Sequence, residues 1–343
     1  MSQPRDLRHS TVVITGASAG VGRAVAHRFA KAGAKLALIA RDADALGAVE
    51  DEVRRLGAGA VSVHALDVAD AAAVFDAAAA VAAANGAIDI WINDAMVTVF
   101  APVWQITAEE FRRVTEVTYL GFVHGTMAAL RHMRARNRGT IVQVGSALAY
   151  RGIPLQAAYC GAKHAIRGFT DSLRSELIHA GSAVALTVVE LPAVNTPQFD
   201  WARTHMARQP RPVPPVVQPE TVAEAIFRAA LDPKREYWVG LSTLKAILGN
   251  MVLPRFLDRY LARNAYGAQE TRTPVAAGRR DNLTAPVTAL HRTRGSFGAE
   301  AGSTAITVAG PLARLAPPVA SAVIGLSIGL LLGAVARPRW RQH

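Results

Sequence analysis

Tyr159 and Lys163 stand four residues apart in a stretch with helical apolar spacing, so a helix there presents both on one face. A tyrosine hydroxyl titrates at about 10 and is a poor base near neutrality, but a lysine ammonium beside it favours the phenolate. Such a pair can give a proton to a carbonyl oxygen or take one from an alcohol. A Tyr–Lys pair is also an ordinary feature of helix surfaces, so the pair alone leaves the chemistry open. Ser146 follows the short apolar run Thr140–Gly145, which reads as a strand. Sites in α/β proteins sit at the carboxyl ends of strands, where this hydroxyl could hold a substrate oxygen. A Ser–His–Asp hydrolase is the rival reading. However, Val144-Gly145-Ser146-Ala147-Leu148 is not the G-x-S-x-G elbow, and no aspartate and later histidine are placed for it. His124 reads as packed or solvent-facing, His164 points away from the Tyr–Lys face, and Cys160 reads as packing.

A second constellation lies near the start of the chain. Thr15-Gly16-Ala17-Ser18-Ala19-Gly20-Val21-Gly22 sits between an apolar run and a helical pattern. Gly16 permits a tight turn, Gly20 lets backbone approach a pyrophosphate, and Gly22 lets the helix lie close to the sheet. The helix N-terminus then offers free N–H groups and a positive dipole to phosphates. The next strand ends Ala40-Arg41-Asp42. An acid at that point would hold the ribose hydroxyls of NAD, whereas Arg41 suits a 2′-phosphate, which favours NADP. Asp42, one step along, leaves some room for NAD, and Arg41 also reads as a plain surface charge.

The elements that must position these residues follow from periodicity. Apolar runs at Thr11–Ile14, Lys35–Ala40, Val61–Ala65, Ile88–Ile92, Thr140–Gly145 and Ala183–Glu190 read as strands, with Glu236–Gly240 as a seventh. Helical patterns cover Val21–Ala32, Ala71–Ala84, Tyr159–Ala180, Glu220–Leu231 and Thr243–Arg263. A long helix begins at the capping box Thr107/Glu110 and runs to about Ala135. Strands apolar on both faces, alternating with helices, predict a Rossmann-like doubly wound parallel sheet in three α/β/α layers. The proline-rich stretch from Pro192 to Pro219 reads as irregular and suited to cover a substrate.

On these motifs the chain resembles the classical short-chain dehydrogenase/reductase family over about residues 8–240. The glycine loop is similar to the family's TGxxxGxG, and Ser146, Tyr159 and Lys163 match its active-site serine and YxxxK pair. The resemblance implies that Asp67 and Val68 contact the adenine ring and that Asn93 and Ala95 belong to the motif after strand four. It also implies that Pro192 and Thr196 border the nicotinamide and that Lys163 bonds the nicotinamide ribose. Thr15, Gly16, Ser18, Gly20, Val21, Gly22 and Arg41 complete the expected cofactor set, and Ser146, Leu148 and Tyr159 the expected substrate contacts. Tyr150, Arg151, Val97, Val99 and the segment from Ala193 to Met206 could line the rest of a mostly apolar pocket. Asp94 and Met96 stand where the family has asparagine and glycine, and Ala193 replaces a glycine. Thr118 aligns with the family's active-site asparagine, whose backbone carbonyl, in a helix irregularity, holds a water joined to the lysine. A threonine still supplies that carbonyl, and its hydroxyl can bond the preceding turn.

The expected function is therefore an NADP-dependent oxidoreductase acting on a carbonyl or secondary alcohol of an apolar small molecule. Alternatives are a non-catalytic NADP-sensing or scaffold protein on the same fold, and an epimerase or double-bond reductase. Relatives of this type are commonly homodimers or homotetramers through the two long helices. No metal site is expected.

Composition bounds the rest. Of 343 residues, 51% are hydrophobic and 19% charged, which excludes a mainly disordered chain. Cys160 is the single cysteine, so no intramolecular disulfide or cysteine-based metal site can form. The net charge of +12 is concentrated beyond residue 270, where nine arginines face only Asp281 and Glu300. No basic stripe with interleaved aromatics precedes them, so nucleic-acid binding is not expected. Residues 1–265 read as one catalytic domain and 266–314 as a flexible linker. Residues 315–336, 22 residues without a charge, read as an apolar segment able to anchor in a membrane, and 337–343 as a basic tail. The far-side arginines conflict with the positive-inside tendency of a cytoplasmic enzyme that spans the bilayer. The expected location is cytoplasmic, with attachment to the membrane as a second reading.

Overall fold

A computed structural model describes residues 7–310. Eight strands form the main sheet: β1 (Thr11–Thr15), β2 (Lys35–Ala40), β3 (Val61–Ala65), β4 (Ile90–Asn93), β5 (Thr140–Ser146), β6 (Ala185–Leu191), β7 (Glu236–Val239) and β8 (Thr307–Ala309). Their order across the sheet is β8-β7-β6-β5-β4-β1-β2-β3. Every pair is parallel except β8, which runs antiparallel on β7. The chain order reverses between β1 and β4, so the loops leaving these strands diverge and leave a crevice between them.

Helices cover both faces because the central strands are apolar on both. All five residues of β1 and all seven of β5 are buried. On one face α1 (Gly20–Ala30), α2 (Ala43–Arg55) and α7 (Pro219–Leu231) pack against Val12, Ile14, Val142 and Val144. On the other, α3 (Ala71–Asn85), α5 (Gly121–Ala135) and α6 (Ala157–His179) pack against Val13, Trp91 and Ile141. This is the three-layer, doubly wound α/β architecture the periodicity implies.

Four features depart from the sequence reading. Helix α2 was not anticipated between β2 and β3. It buries Ala45, Leu46, Val49 and Val53 and is capped by Asp42, whose Oδ1 accepts the Ala45 N–H at 3.0 Å. The long helix after the capping box is α4 (Ala108–Thr115), then a π turn over Glu116–Leu120, then α5. The stretch expected as one helix over 243–263 is α8 (Leu241–Val252) and α9 (Pro254–Ala268), broken where Pro254 offers no N–H.

The fourth departure concerns the expected flexible linker, whose described part lies against the domain. Residues 270–274 pair antiparallel with 208–210, residues 301–302 add to 216–217, and 307–309 form β8. Gln269 is fully buried and bonded through both ends of its amide to Gln156, Pro154 and Ala265. These strands are only two to five residues long, too short to show a hydrophobic period. The apolar segment 315–336 and the basic tail lie outside the described residues. Among the described residues no helix is long and apolar enough to cross a membrane.

Helix α5 meets β4 at Gly125, where an added Cβ would stand 2.2 Å from Asn93 Oδ1 and 2.7 Å from Trp91 Nε1. Substitution Gly125→Val is expected to cost about 1–3 kcal/mol by overpacking. The measurement is Tm, and an unchanged value would mean that α5 does not rest on β4 in this way.

Candidate active site

The glycine loop joins β1 to α1 in a backbone form that side chains resist. Gly16 and Gly20 have φ of +75° and +58°. A Cβ at Gly16 would stand 2.8 Å from Ala95 Cα, and one at Gly22 would stand 2.3 Å from the Gly16 oxygen. Thr15 Oγ1 accepts the N–H groups of Asp94 and Ala95 at 3.0 and 3.2 Å, which ties this loop to the end of β4. Above the loop lies a cavity of about 460 Å³. Gly16, Ser18, Gly20 and Val21 line one part of it, and Arg41, Asp67 and Val68 the part beyond β2. Ala95, Ser146, Leu148, Tyr159, Lys163, Pro192 and Thr196 line its other end. A cradle with no room for side chains, opening into a cavity that runs from Arg41 to Lys163, fits a dinucleotide laid across the strand ends.

The chemical end of the cavity is built by α6 and the end of β5. Tyr159 and Lys163 come from successive turns of α6. Ser146 closes β5; its hydroxyl accepts the Leu148 N–H at 3.1 Å, and it lines the cavity together with Tyr159. Lys163 is buried, donates to the Val144 carbonyl at 2.7 Å, and stands 5.6 Å from the centre of the Tyr159 ring. The sequence reading expects the lysine to draw the tyrosine pKa down. In the structure burial pushes the Tyr159 hydroxyl up, with Ser146 pulling the other way.

Carboxyl groups surround the lysine. Asp94, at the end of β4, is raised by burial, while Lys163 and the Gly22 N–H act against the rise. Lys163 is in turn lowered by burial, with Asp94 and Glu190 opposing. Glu190 lies on β6 opposite Gly145, where a Cβ would stand 2.2 Å from its Oε2. A glycine there is what admits the carboxyl beneath α6. Burial pushes Glu190 up to about 8. Neighbouring Glu236 adds to the rise, whereas Lys163, the Ser146 N–H and Arg167 oppose it. Tyr150 closes the cluster by donating to Glu236, and Arg167 lies over the Tyr150 ring.

Not every residue expected in the site reaches the cavity. Asn93 is fully buried and serves the core: its Nδ2 donates to Phe122, Thr126 and Gln143, and its Oδ1 accepts from Trp91. Thr15 and Gly22 shape the loop from behind. Thr118 sits in the π turn, as an irregularity at that position requires. Its hydroxyl does not bond the preceding turn; it crosses to Val97, donating to the carbonyl at 2.7 Å and accepting the N–H at 3.0 Å. Arg151 faces Asp258 and Asn250 instead of a substrate, and Tyr150 belongs to the carboxyl cluster. Val97 lines the cavity, as do Phe199 and Trp201 from the expected cover.

Sequence reasoning did not single out Asp94 and Glu190 as partners of Lys163. An ionisable residue at the buried carboxyl end of an apolar strand was the available signal. It also missed Asn282, Pro286, Val287 and His291, which form part of the cavity wall. These had no signal, because no periodic element carries them.

Comparison with known proteins identifies the family and the fold. The profile of the short chain dehydrogenase family matches residues 10–207. An uncharacterized oxidoreductase, YxnA, of Bacillus subtilis (strain 168) is 33% identical over 272 residues, covering 79% of this chain and 76% of its own length. A dehydrogenase/reductase SDR family protein 7-like of Anopheles gambiae is 35% identical over 204 residues, covering 57% of this chain and 63% of its own. Among solved structures, a metagenomic short-chain oxidoreductase in complex with NADP superposes with a TM-score of 0.57 at 27% identity, covering 67% of this chain and 96% of that one. An alcohol dehydrogenase from the archaeon Thermococcus sibiricus, complexed with 5-hydroxy-NADP, gives 0.57 and 27%, covering 67% and 95%.

Glu190 makes stability depend on pH. Its carboxyl titrates at about 8 in the folded chain against an ordinary 4.5. The stability it contributes is whole below the ordinary value and is lost as pH rises through the folded one. In Glu190→Gln this loss is absent, so Tm of the variant relative to the parent should climb between those two pH values. A difference that stays flat with pH would mean that the carboxyl is ionised throughout.

Proposed function

Because the chain belongs to the short-chain dehydrogenase/reductase family and is an oxidoreductase of it, we propose that it interconverts a carbonyl and a secondary alcohol of an apolar small molecule with NADP(H). The observation that carries this reading is that Ser146, Tyr159 and buried Lys163 line one end of a cavity whose other end is the glycine cradle, with the Lys163 ammonium 5.6 Å from the centre of the Tyr159 ring. A nicotinamide ring bound at that end supplies or accepts the hydride. Ser146 holds the substrate oxygen, and Tyr159 gives that oxygen its proton or takes it back. Lys163 holds positive charge next to the phenolic oxygen and would bond the nicotinamide ribose. The Thr118 backbone, in the π turn, would supply the carbonyl for a water joined to the lysine.

Two features support NADP over NAD. Arg41 lines the cavity at the end of β2, where a 2′-phosphate would lie, and Asp42 beside it is used to cap α2. The substrate end has apolar walls, among them Phe100, Leu148, Ile153, Phe199 and Leu261. The reading also includes a homodimer or homotetramer through the outer faces of α5 and α6, where Met127 and Ile178 are exposed. Bilayer attachment through residues 315–336 belongs to it as well.

Tyr159→Phe is expected to lower kcat by about 10²–10⁴-fold on whichever apolar ketone is turned over, with NADPH binding kept. Turnover at the parent rate would remove Tyr159 as the proton donor. A parent chain that binds NADPH yet turns over no member of a broad ketone and alcohol panel would instead be a sensor on this fold. Arg41→Ala is expected to reduce the ratio of NADP to NAD affinity by about 10–100-fold, the worth of charge-assisted hydrogen bonds. An unchanged ratio would mean that selectivity lies elsewhere.

A further inference from the structure

Residues 281–297 cross the open side of the cavity and are fastened to three of the loops that border it. At the β2 end, Arg41 donates to the carbonyls of Asn282 and Leu283 at 2.5 and 3.4 Å, and Arg113 donates to Leu283 at 3.1 Å. Over the glycine loop, the Gly20 N–H donates to the Arg292 carbonyl at 3.0 Å and Arg23 donates to the His291 carbonyl at 2.9 Å. At the segment after β6, the Gly295 N–H donates to the Asn195 carbonyl at 3.1 Å and the Phe297 N–H to Asn195 Oδ1 at 2.9 Å. Asn282, Pro286, Val287 and His291 form the cavity wall. The His291 ring is nine-tenths buried, lies 3.1 Å from Asp42 and is tilted on Trp201.

The strap is one chain thick. Asn282, Leu283 and Val287 are buried, whereas the residues between and beside them, 284–286 and 288–289, face solvent. Outward it is tied by ion pairs of exposed arginines, Arg292 to Asp200 and Arg294 to Glu220, both at 2.9 Å. Exposed pairs hold weakly. Its start is anchored, since Asp281 pairs with Arg203 at 2.6 Å, the Asn282 N–H donates to the Trp201 carbonyl at 3.0 Å and Leu283 packs in the core. The part from 288 to 297, tied outward by weak surface pairs, is therefore the part that can lift without disturbing the sheet.

We propose that residues 281–297 are the retaining wall of the dinucleotide site. The cofactor lies in the cavity that this strap closes off and leaves when the strap lifts, and the Asn282 and Leu283 carbonyls aim the Arg41 guanidinium at the adenosine end. This rests on the NADP(H) reading above.

The test is the rate at which NADPH leaves the full-length chain, followed by stopped-flow fluorescence on displacement with excess NADP. Arg292→Ala combined with Arg294→Ala loosens both surface ties and should speed release about fivefold, the shift in open population that two weak pairs sustain. Asp200→Asn, which removes one tie from the opposite side, should move the rate in the same direction by a smaller factor. Release at the parent rate in both variants overturns the retaining wall while leaving the cofactor reading intact. Slower release also overturns it, because loosening the ties of a retaining wall cannot hold the cofactor longer. A parent chain that binds no NADPH overturns the cofactor reading itself.

Discussion

Lys163 carries an ammonium almost out of reach of water, and the way that charge is satisfied organises everything near it. One proton goes to the Val144 carbonyl inside the sheet, which fixes how far α6 can stand from β5. Asp94 after β4 and Glu190 on β6 stand on either side, and each opposes the loss of the lysine's proton to the extent that it is ionised. A buried charge without such partners would give up its proton or unfold its surroundings. With them, the lysine stays beside Tyr159, which lines the cavity together with Ser146. The three side chains are therefore held by a requirement for charge compensation as much as by apolar packing.

That compensation depends on the parallel sheet. Only parallel strands bring the carboxyl ends of β1, β4, β5 and β6 to one rim, and only there do Gly16, Asp94, Ser146 and Pro192 become neighbours. Small residues let the rim close. Gly22 allows α1 to approach the turn at Gly16, and Gly145 leaves room for the Glu190 carboxyl. Behind the rim, the Asn93–Trp91–Gln143–Thr126 network locks β4, β5 and α5 together with buried hydrogen bonds, a rigid base for the loops in front.

The last forty described residues have a different kind of order. They add short strands at three places and a strap over the cavity, but almost none of their stability is their own. Each piece is held by hydrogen bonds or ion pairs to residues far earlier in the chain, so the segment is ordered by the domain it covers. Elements of that kind open more readily than the sheet, and the open side of a binding cleft is where such an element serves exchange.

The sequence by itself determined the architecture and the chemical core of the site. Apolar runs recurring with period two and 3.6 were long enough to place β1, β2, β5, β6 and the major helices, because burial on both faces leaves a local signature. The glycine loop, Arg41 and the Ser146–Tyr159–Lys163 set were legible for the same reason: their roles depend on residue type at fixed spacing along one or two elements. Helix α2 was also encoded locally, by Asp42 and the Ala45–Leu46–Val49–Val53 spacing, but that stretch was passed over. Tertiary structure alone decided what depends on meetings across the chain. It turned Asn93 inward to the core, sent the Thr118 hydroxyl to Val97, and placed Glu190 under α6. It also laid residues 281–297 across the cleft. Those outcomes turn on which groups become neighbours when distant strands align and on how strongly burial acts on them, and no periodicity within a single stretch records either.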